Sequence, residues 1–503
     1  MQQPNILVIC SDEHNPLFTG YRKHPFVKTP NLDRLASEGS YFTNAYCNSP
    51  VCTPSRMSFI TGKYVHQIGS WFLGCPLDQN EMTWARRLHE AGIPSTMFGK
   101  MDFCGEYQDG GFSDYKIIDR RGAWDPYPRT SPLPSRLTGY IRKDKKFHID
   151  HAGIREDIIT DGSRGIEERF GYYDHDRIVT DWTVEYLKEK GSSNQKKPWA
   201  CYTGLIFPHW PFTVPQEYFN MYYPDKVEMP NDAKFPNESL HPEVYHFQKS
   251  LGLGEITEEM LGKVIATYCG MITAMDAMVG RILEELKNQG FADNTYIIYT
   301  SDHGDMLGEH GLFYKQCSYE GSVGVPLIVK GPSVAAGKRF DQPVSLVDMY
   351  PTIMDMANLE SESDRPGKSW LPLLRGDKCE GEEYAFSEYH GNFFRQDWYM
   401  LVKDNYKYTY YVNERPSLFN LKQDPHENID LALKPEYSEI LDEFKELLKT
   451  IVDPEKVSLC SKKDLGLIGT DNEDFTRTLT YEELQEGILN GRFKLEPEWG
   501  QKR

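Results

Sequence analysis

Four short apolar runs rich in β-branched or aromatic residues stand out along the first three hundred residues: Asn5 to Cys10, Pro94 to Phe98, Trp199 to Phe207 and Thr295 to Ser301. Their hydrophobicity is continuous rather than alternating, which suits strands of a parallel sheet covered on both faces. Between them the apolar positions take helical spacing. Pro30 to Glu38 stops at Gly39, Glu81 to Ala91 closes at Gly92, and Asp174 to Lys190 forms a third helix. A long helix is predicted over Glu258 to Asn288, with Ile265, Ile272, Val279, Leu283 and Leu286 on one stripe. Gly262, Gly270 and Gly280 weigh against its being continuous. Strands alternating with helices predict an α/β fold: a large, mostly parallel, doubly wound sheet with right-handed crossovers.

Two stretches break this rhythm. Residues 104–155 are irregular and rich in Gly, Pro, Tyr and Arg, and read as a long insertion facing the substrate. Beyond Leu371 to Asp377 come short aromatic runs at Glu383 to Tyr389, Trp398 to Lys403, Tyr406 to Tyr411 and Ser417 to Leu421. These predict a small antiparallel sheet, followed by a helix over Tyr437 to Ile451. The expected organisation is a catalytic α/β domain over 1–376 and a smaller α+β domain with a tail over 377–503.

Composition narrows the partners. A formal net charge of -19 argues against nucleic acid or anionic membrane. An acidic protein that binds an anion must concentrate positive charge locally. The ten cysteines are scattered singly, with no Cys-x-x-Cys pair, which suits a reducing compartment. No run reaches membrane-spanning length, and the N-terminal segment lacks the order of a signal peptide. As it stands the sequence reads as cytoplasmic; a periplasmic or secreted protein whose leader had been removed would read the same way. Oligomeric state is left open.

The chemistry gathers where strands end, the place where α/β sheets build their sites. Asp12 and Glu13 follow the first strand, Lys100 the second, and Asp302 and His303 the last. Cys52-Thr53-Pro54-Ser55-Arg56 lies at a loop-to-helix start and is followed by Met57 to Thr61-Gly62. Singly, each has a bland reading: acids after a strand are common turn formers, and free cysteine is often core. Jointly, with Pro4-Asn5-Ile6-Leu7-Val8, Thr29 to Ala36, Pro208-His209-Trp210-Pro211, Ser301 to Gly308, Gly311 and Lys315, they resemble the sulfatase branch of the alkaline-phosphatase-like hydrolases over most of the first 375 residues.

That resemblance implies a metal-dependent sulfuric ester hydrolase. Cys52 would be oxidised to formylglycine (3-oxoalanine) by a formylglycine-generating enzyme, and one geminal hydroxyl of the hydrated aldehyde would attack sulfur. Asp12, Glu13, Asp302 and His303, together with residue 52, would hold one divalent cation, Ca²⁺ first and Mn²⁺ as the alternative. Arg56 would fix the hydrated aldehyde. Lys100, His209 and Lys315 would bind the sulfate oxygens, and His209 or else Lys315 would protonate the leaving oxygen.

Three departures from the family pattern matter. Asp12-Glu13 replaces the frequent pair of aspartates. His303 replaces a frequent asparagine and resembles the choline-sulfatase and phosphonate-monoester-hydrolase group. Asp102 stands where members commonly carry a histidine, in a place expected to touch substrate. The rival on the same fold is a phosphonate monoester or phosphodiester hydrolase; a rival of another class is an inactive member that binds a sulfated ligand with Cys52 unmodified. A cysteine-thiolate hydrolase ranks last, because no Cys-His-Asn arrangement is evident. The substrate expected is a sugar sulfate or another small organic sulfate.

Overall fold

The computed structural model describes residues 3–464 apart from 74, 105–107, 118–170, 194–196, 231–232, 234–236, 252–255, 378–383 and 392–393. Most of the expected insertion, with its arginines and lysines, therefore lies outside the described residues. The main sheet has eight strands: β1 (Asn5–Ser11), β2 (Ser40–Phe42), β3 (Ser95–Gly99), β4 (Asp114–Lys116), β5 (Ala200–Gly204), β6 (Thr295–Ser301), β7 (Leu327–Lys330) and β8 (Lys338–Phe340). Their order is β4-β3-β5-β1-β6-β7-β2-β8. The run from β4 to β6 is parallel, while β7 is antiparallel to both its neighbours. Every residue of β1 and β6 is buried, as their unbroken apolar text requires.

Helices flank this sheet: α1 (Pro30–Glu38), α2 (Cys52–Thr61), α3 (Trp84–Glu90), α4 (Tyr172–Ser192) and α5 (Glu258–Asn288). The long α5 is continuous despite its glycines, and Gly280 shows why they are tolerated. A Cβ there would lie 2.6 Å from the side chain of Asn31 on α1, which is itself bonded to Asp276 of α5. The glycine allows close approach of the two helices. At the edge, β4 corrects the reading of 104–155 as loop from its start, since Asp114–Lys116 pairs with Thr96–Phe98. All three residues of β4 are exposed, so no apolar pattern marked it.

Past residue 377 the four aromatic runs form an antiparallel meander: β9 (Ala385–Tyr389), β10 (Trp398–Lys403), β11 (Tyr406–Tyr411) and β12 (Ser417–Asn420). Side chains alternate along it. Trp398, Met400 and Val402 join the core of the large sheet, whereas Tyr399, Leu401 and Tyr408 pack with Phe444 and Leu448 of α6 (Ser438–Ile451). A further helix, Pro454–Asp464, lies where the sequence was read as tail.

A polar chain ties the antiparallel sheet to the short helix Val65–Ile68 that follows α2. Glu388 accepts from His66 at 2.9 Å and from His390 at 2.9 Å, and His390 reaches Asp397 at 3.1 Å. Burial alone would lower the His390 pKa, but the Asp397 and Glu388 carboxylates outweigh it and raise it to about 9. Burial would raise that of Glu388, but the two imidazoles hold it down at about 2. By linkage, His390 contributes stability that is complete below its ordinary value of 6.5 and is lost as pH rises through about 9. Glu388 contributes stability that is present above 4.5 and is lost as pH falls through about 2. The wild-type urea midpoint should therefore fall between pH 6.5 and 9, while His390→Gln should start lower and stay flatter over that range. Parallel curves would remove His390 from this role.

Candidate active site

Register brings the strand ends level. Ser11 pairs with Ser301, Cys10 with Gly204, and Gly99 with the same Gly204. The residues that follow, Asp12, Asp302 and Lys100, therefore emerge side by side. Gly204 permits this closeness, because a Cβ on it would lie 2.0 Å from the Lys100 carbonyl oxygen. Cys52 is the first residue of α2 and points its thiol at these ends, and all ten residues of that helix are buried. The helix start also turns its positive dipole end on whatever anion forms at residue 52.

Four donors converge there. The Cys52 Sγ lies 3.7 Å from Asp12 Oδ1 and 3.4 Å from His303 Nε2, and His303 Nε2 lies 3.6 Å from Asp302 Oδ1. One ligand atom from each of Asp12, Cys52, Asp302 and His303 falls within 4.8 Å of the others. Two carboxylates with an imidazole fit a hard or borderline cation such as Ca²⁺ or Mn²⁺. Glu13 is outside this quartet. It forms a second group with Asp12 and His209, its Oε2 lying 3.3 Å from His209 Nε2 and 3.0 Å from Lys315 Nζ. The backbone at Glu13 is left-handed (φ 65), fixed by Tyr268, whose hydroxyl donates to the Glu13 carbonyl at 2.6 Å.

Lysines complete the positive side. Lys315 Nζ is 3.6 Å from Cys52 Sγ, and Lys100 pairs with Asp12. Asp102 sits 3.4 Å from Lys100 Nζ, so it offsets part of that charge from a left-handed backbone position (φ 61). Arg56, one helical turn after Cys52, is wholly buried. Its five N–H donors go to Asp302 Oδ2 (2.8 Å), the Lys100 carbonyl (2.7 Å), Tyr202 Oη (2.8 Å), the Ser11 carbonyl (3.2 Å) and Asp12 Oδ2 (3.4 Å). No donor is left over for a substrate, and Arg56 meets the neighbourhood of residue 52 through the two aspartates.

Electrostatics follow from this packing. Burial and Asp12 would raise the Cys52 thiol, but Lys100, Lys315 and His303 together bring it down to about 6. Burial would lower His303, yet the Asp302 carboxylate and Cys52 raise it to about 9. Burial raises Glu13 to about 7 against the pull of Lys315 and His209. Burial, reinforced by Lys315, lowers His209 to about 4. The Glu13–His209 contact is thus a hydrogen bond between uncharged groups between about pH 4 and 7. His209 Nδ1 faces the Trp210 carbonyl, which can only accept, so Nδ1 carries the proton and a neutral His209 has none on Nε2.

Several residues here carry no motif signal. Tyr202 lies mid-strand, Tyr268 lies inside α5, and Asp176 accepts the backbone N–H of Ile206 and Phe207, both at 2.8 Å, in the loop before His209. Asp305 was visible only as part of Asp302-His303-Gly304-Asp305; its Oδ1 accepts from Leu307 at 2.8 Å and Tyr314 at 3.2 Å.

The chain is similar to known proteins over most of its length. The arylsulfatase K of Gallus gallus is 31% identical over 480 residues, covering 91% of this chain and 84% of its own length. That of Danio rerio is 30% identical over 477 residues, covering 91% and 85%. Among solved structures, the phosphonate monoester hydrolase of Agrobacterium radiobacter superposes with a TM-score of 0.70 at 25% identity, over 89% of this chain and 95% of its own. A protein solved in complex with its substrate D-glucosamine-2-N,6-O-disulfate shares the fold, with a TM-score of 0.70 at 22% identity over 94% and 100%. A family model described as N-sulphoglucosamine sulphohydrolase, C-terminal, matches residues 308–453. Another, described as Sulfatase, matches residues 4–359, a span that holds every site residue named above, and the chain belongs to the sulfatase family.

Proposed function

We propose that the protein hydrolyses a sulfuric ester, with residue 52 as formylglycine and one divalent cation held by Asp12, Asp302, His303 and residue 52. The observation that carries this reading is the Cys52 side chain, set at a helix start against two aspartates, His303 and Lys315. The thiol stands in for the oxygens of the hydrated aldehyde, whose two hydroxyls would supply the nucleophile and the later release of sulfate. Cys52 is only 2% exposed, so its oxidation has to precede folding. A bound cation would supply positive charge against the nucleophile and a sulfuryl oxygen. The Asp302 carboxylate and Cys52 raise the His303 pKa against burial, which supports a site that favours a positive charge.

The chain's own groups do the rest. Lys100 and Lys315 bind sulfuryl oxygens, where preorganised positive charge can be worth roughly 10²–10³ in rate each. Either His209 or Lys315 would protonate the leaving oxygen: burial keeps His209 neutral with Nε2 bare, while Cys52, Glu13 and Asp12 hold the Lys315 proton tightly against burial. Asp102 holds Lys100 in place rather than touching sulfur. The substrate proposed is a carbohydrate sulfate, supported by the description of the C-terminal family model. The phosphonate reading rests on the likeness to the Agrobacterium radiobacter enzyme and on His303.

Aryl sulfate, phosphonate monoester and phosphate monoester with one shared leaving group, run beside a panel of sulfated sugars, test this. Sulfate should lead in kcat/KM, the phosphonate monoester should be weak, and the phosphate monoester weakest, because Glu13, which the second group of Asp12, Glu13 and His209 would need for another cation, is taken by Lys315 Nζ at 3.0 Å. A phosphonate monoester in first place moves the chain to that reading. Mass spectrometry of the peptide carrying residue 52 should show the aldehyde when the protein is made beside a formylglycine-generating enzyme. An unmodified thiol in fully active protein would sink the formylglycine mechanism.

A further inference from the structure

Lys315 lies between two left-handed residues, Tyr314 (φ 64) and Gln316 (φ 80), neither of them glycine. Such positions cost on the order of 1–3 kcal/mol each and persist only where the surroundings impose them. The upstream side is held by the large sheet's loop: Tyr314 donates to Asp305 Oδ1 at 3.2 Å, and its carbonyl accepts from Met306 at 2.7 Å. The downstream side is held from a different part of the fold. Trp398 Nε1 donates to the Gln316 carbonyl at 3.0 Å, Lys407 Nζ to the Ser318 carbonyl at 3.0 Å, and Thr409 Oγ1 to Ser318 Oγ at 3.0 Å.

Trp398 lies on β10, and Lys407 and Thr409 on β11. All three are buried on the sheet face that meets the main core. Lys407 is fixed in turn by Glu320 at 2.7 Å and Glu427 at 2.9 Å. An apolar interface would have sufficed to hold a small sheet against a large one. Three directed donors aimed at Gln316 and Ser318, one and three residues beyond Lys315, do something narrower: they fix the backbone that delivers its ammonium to 3.0 Å from Glu13 and 3.6 Å from Cys52.

We propose that the antiparallel sheet is a positioning element for Lys315, with Trp398, Lys407 and Thr409 as its positioning residues. The inference rests on the reading of Lys315 as a group that touches the sulfuryl substrate. Misplacement by about 1 Å can cost on the order of 10² in rate, and it falls on the transition state more than on substrate binding.

Trp398→Phe and Thr409→Val each delete one donor and keep an apolar side chain in place, leaving the buried Lys407 ion pairs intact. Each should lower kcat about tenfold or more on an aryl sulfate while KM stays within about threefold. Thr409→Ser, which keeps the hydroxyl, should restore the wild-type kcat. Phe444→Leu loosens the opposite face of the sheet, where Phe444 stacks on Tyr408; it should lower the melting temperature and leave kcat unchanged. In a Lys315→Ala background, Trp398→Phe should have no further effect on the residual rate. If Trp398→Phe and Thr409→Val keep kcat within about twofold of wild type, or lower it only in step with melting as Phe444→Leu does, the positioning role is wrong. Wild-type turnover in Lys315→Ala would instead overturn the reading of Lys315 itself.

Discussion

Asp302→Asn should lower kcat by about 10³ or more and weaken cation binding. The side chain has no spare oxygen. Its Oδ2 accepts Arg56 Nε at 2.8 Å, and its Oδ1 accepts the backbone N–H of Glu13 at 3.2 Å and of His303 at 3.0 Å. An asparagine amide nitrogen at either position meets a donor instead of an acceptor. The variant therefore loses a ligand charge and also leaves a buried guanidinium or two backbone donors badly paired, a loss on the order of 3 kcal/mol. Chelating the cation from the wild type should give a comparable loss of rate, with Ca²⁺ or Mn²⁺ restoring it; the same addition should not restore Asp302→Asn. Calorimetric titration of the cation and a thermal melt check the two effects separately. Full turnover in the variant, or a chelated wild type at its original rate, would remove Asp302 and its neighbours from the cation site.

How far the sequence reached follows from which contacts are local. Strand ends were legible because fully buried parallel strands write continuous apolar runs, and the acids and the lysine sit within three residues of each run's end. Cys52 and Arg56 were legible as a pair through the resemblance of Cys52-Thr53-Pro54-Ser55-Arg56 to the sulfatase motif, and in the structure one turn of α2 separates them. The direction in which Arg56 points was not. Its partners lie at the end of β1, after β3, inside β5 and after β6, and only the register of those strands brings Ser11, Lys100, Tyr202 and Asp302 around one guanidinium. The clamp on the Lys315 loop was invisible for the same reason, since Trp398 and Gln316 are 82 residues apart. Strand β4 escaped because an exposed edge strand of three residues has no apolar alternation to show. The glycines of α5 misled in the opposite direction, because local propensity was outweighed by the close approach of α1 that Gly280 permits.

Arg56→Lys should be among the most destabilising single substitutions in this protein, although it keeps the charge. The guanidinium spans five acceptors in one plane-like fork, and an ammonium on a shorter reach offers three donors from a single atom. With Arg56 wholly buried, no water stands ready to take over the carbonyls of Ser11 and Lys100, the Tyr202 hydroxyl and two aspartate oxygens. Leaving such groups short of partners costs about 1–3 kcal/mol each when buried, and a broken buried ion pair about 3–5 kcal/mol in all. The activity should fall as well, by about 10² in kcat, because Asp302 and Asp12 are oriented toward residue 52 by the bonds that are lost. A melting curve and steady-state kinetics taken well below the melt separate the two effects. If melting drops while kcat holds, Arg56 is a rivet between strands and nothing more. If kcat drops in protein that is still fully folded, the arginine sets the orientation of the aspartates on which the reaction depends. A variant that matches wild type in both measurements contradicts the five-acceptor arrangement itself.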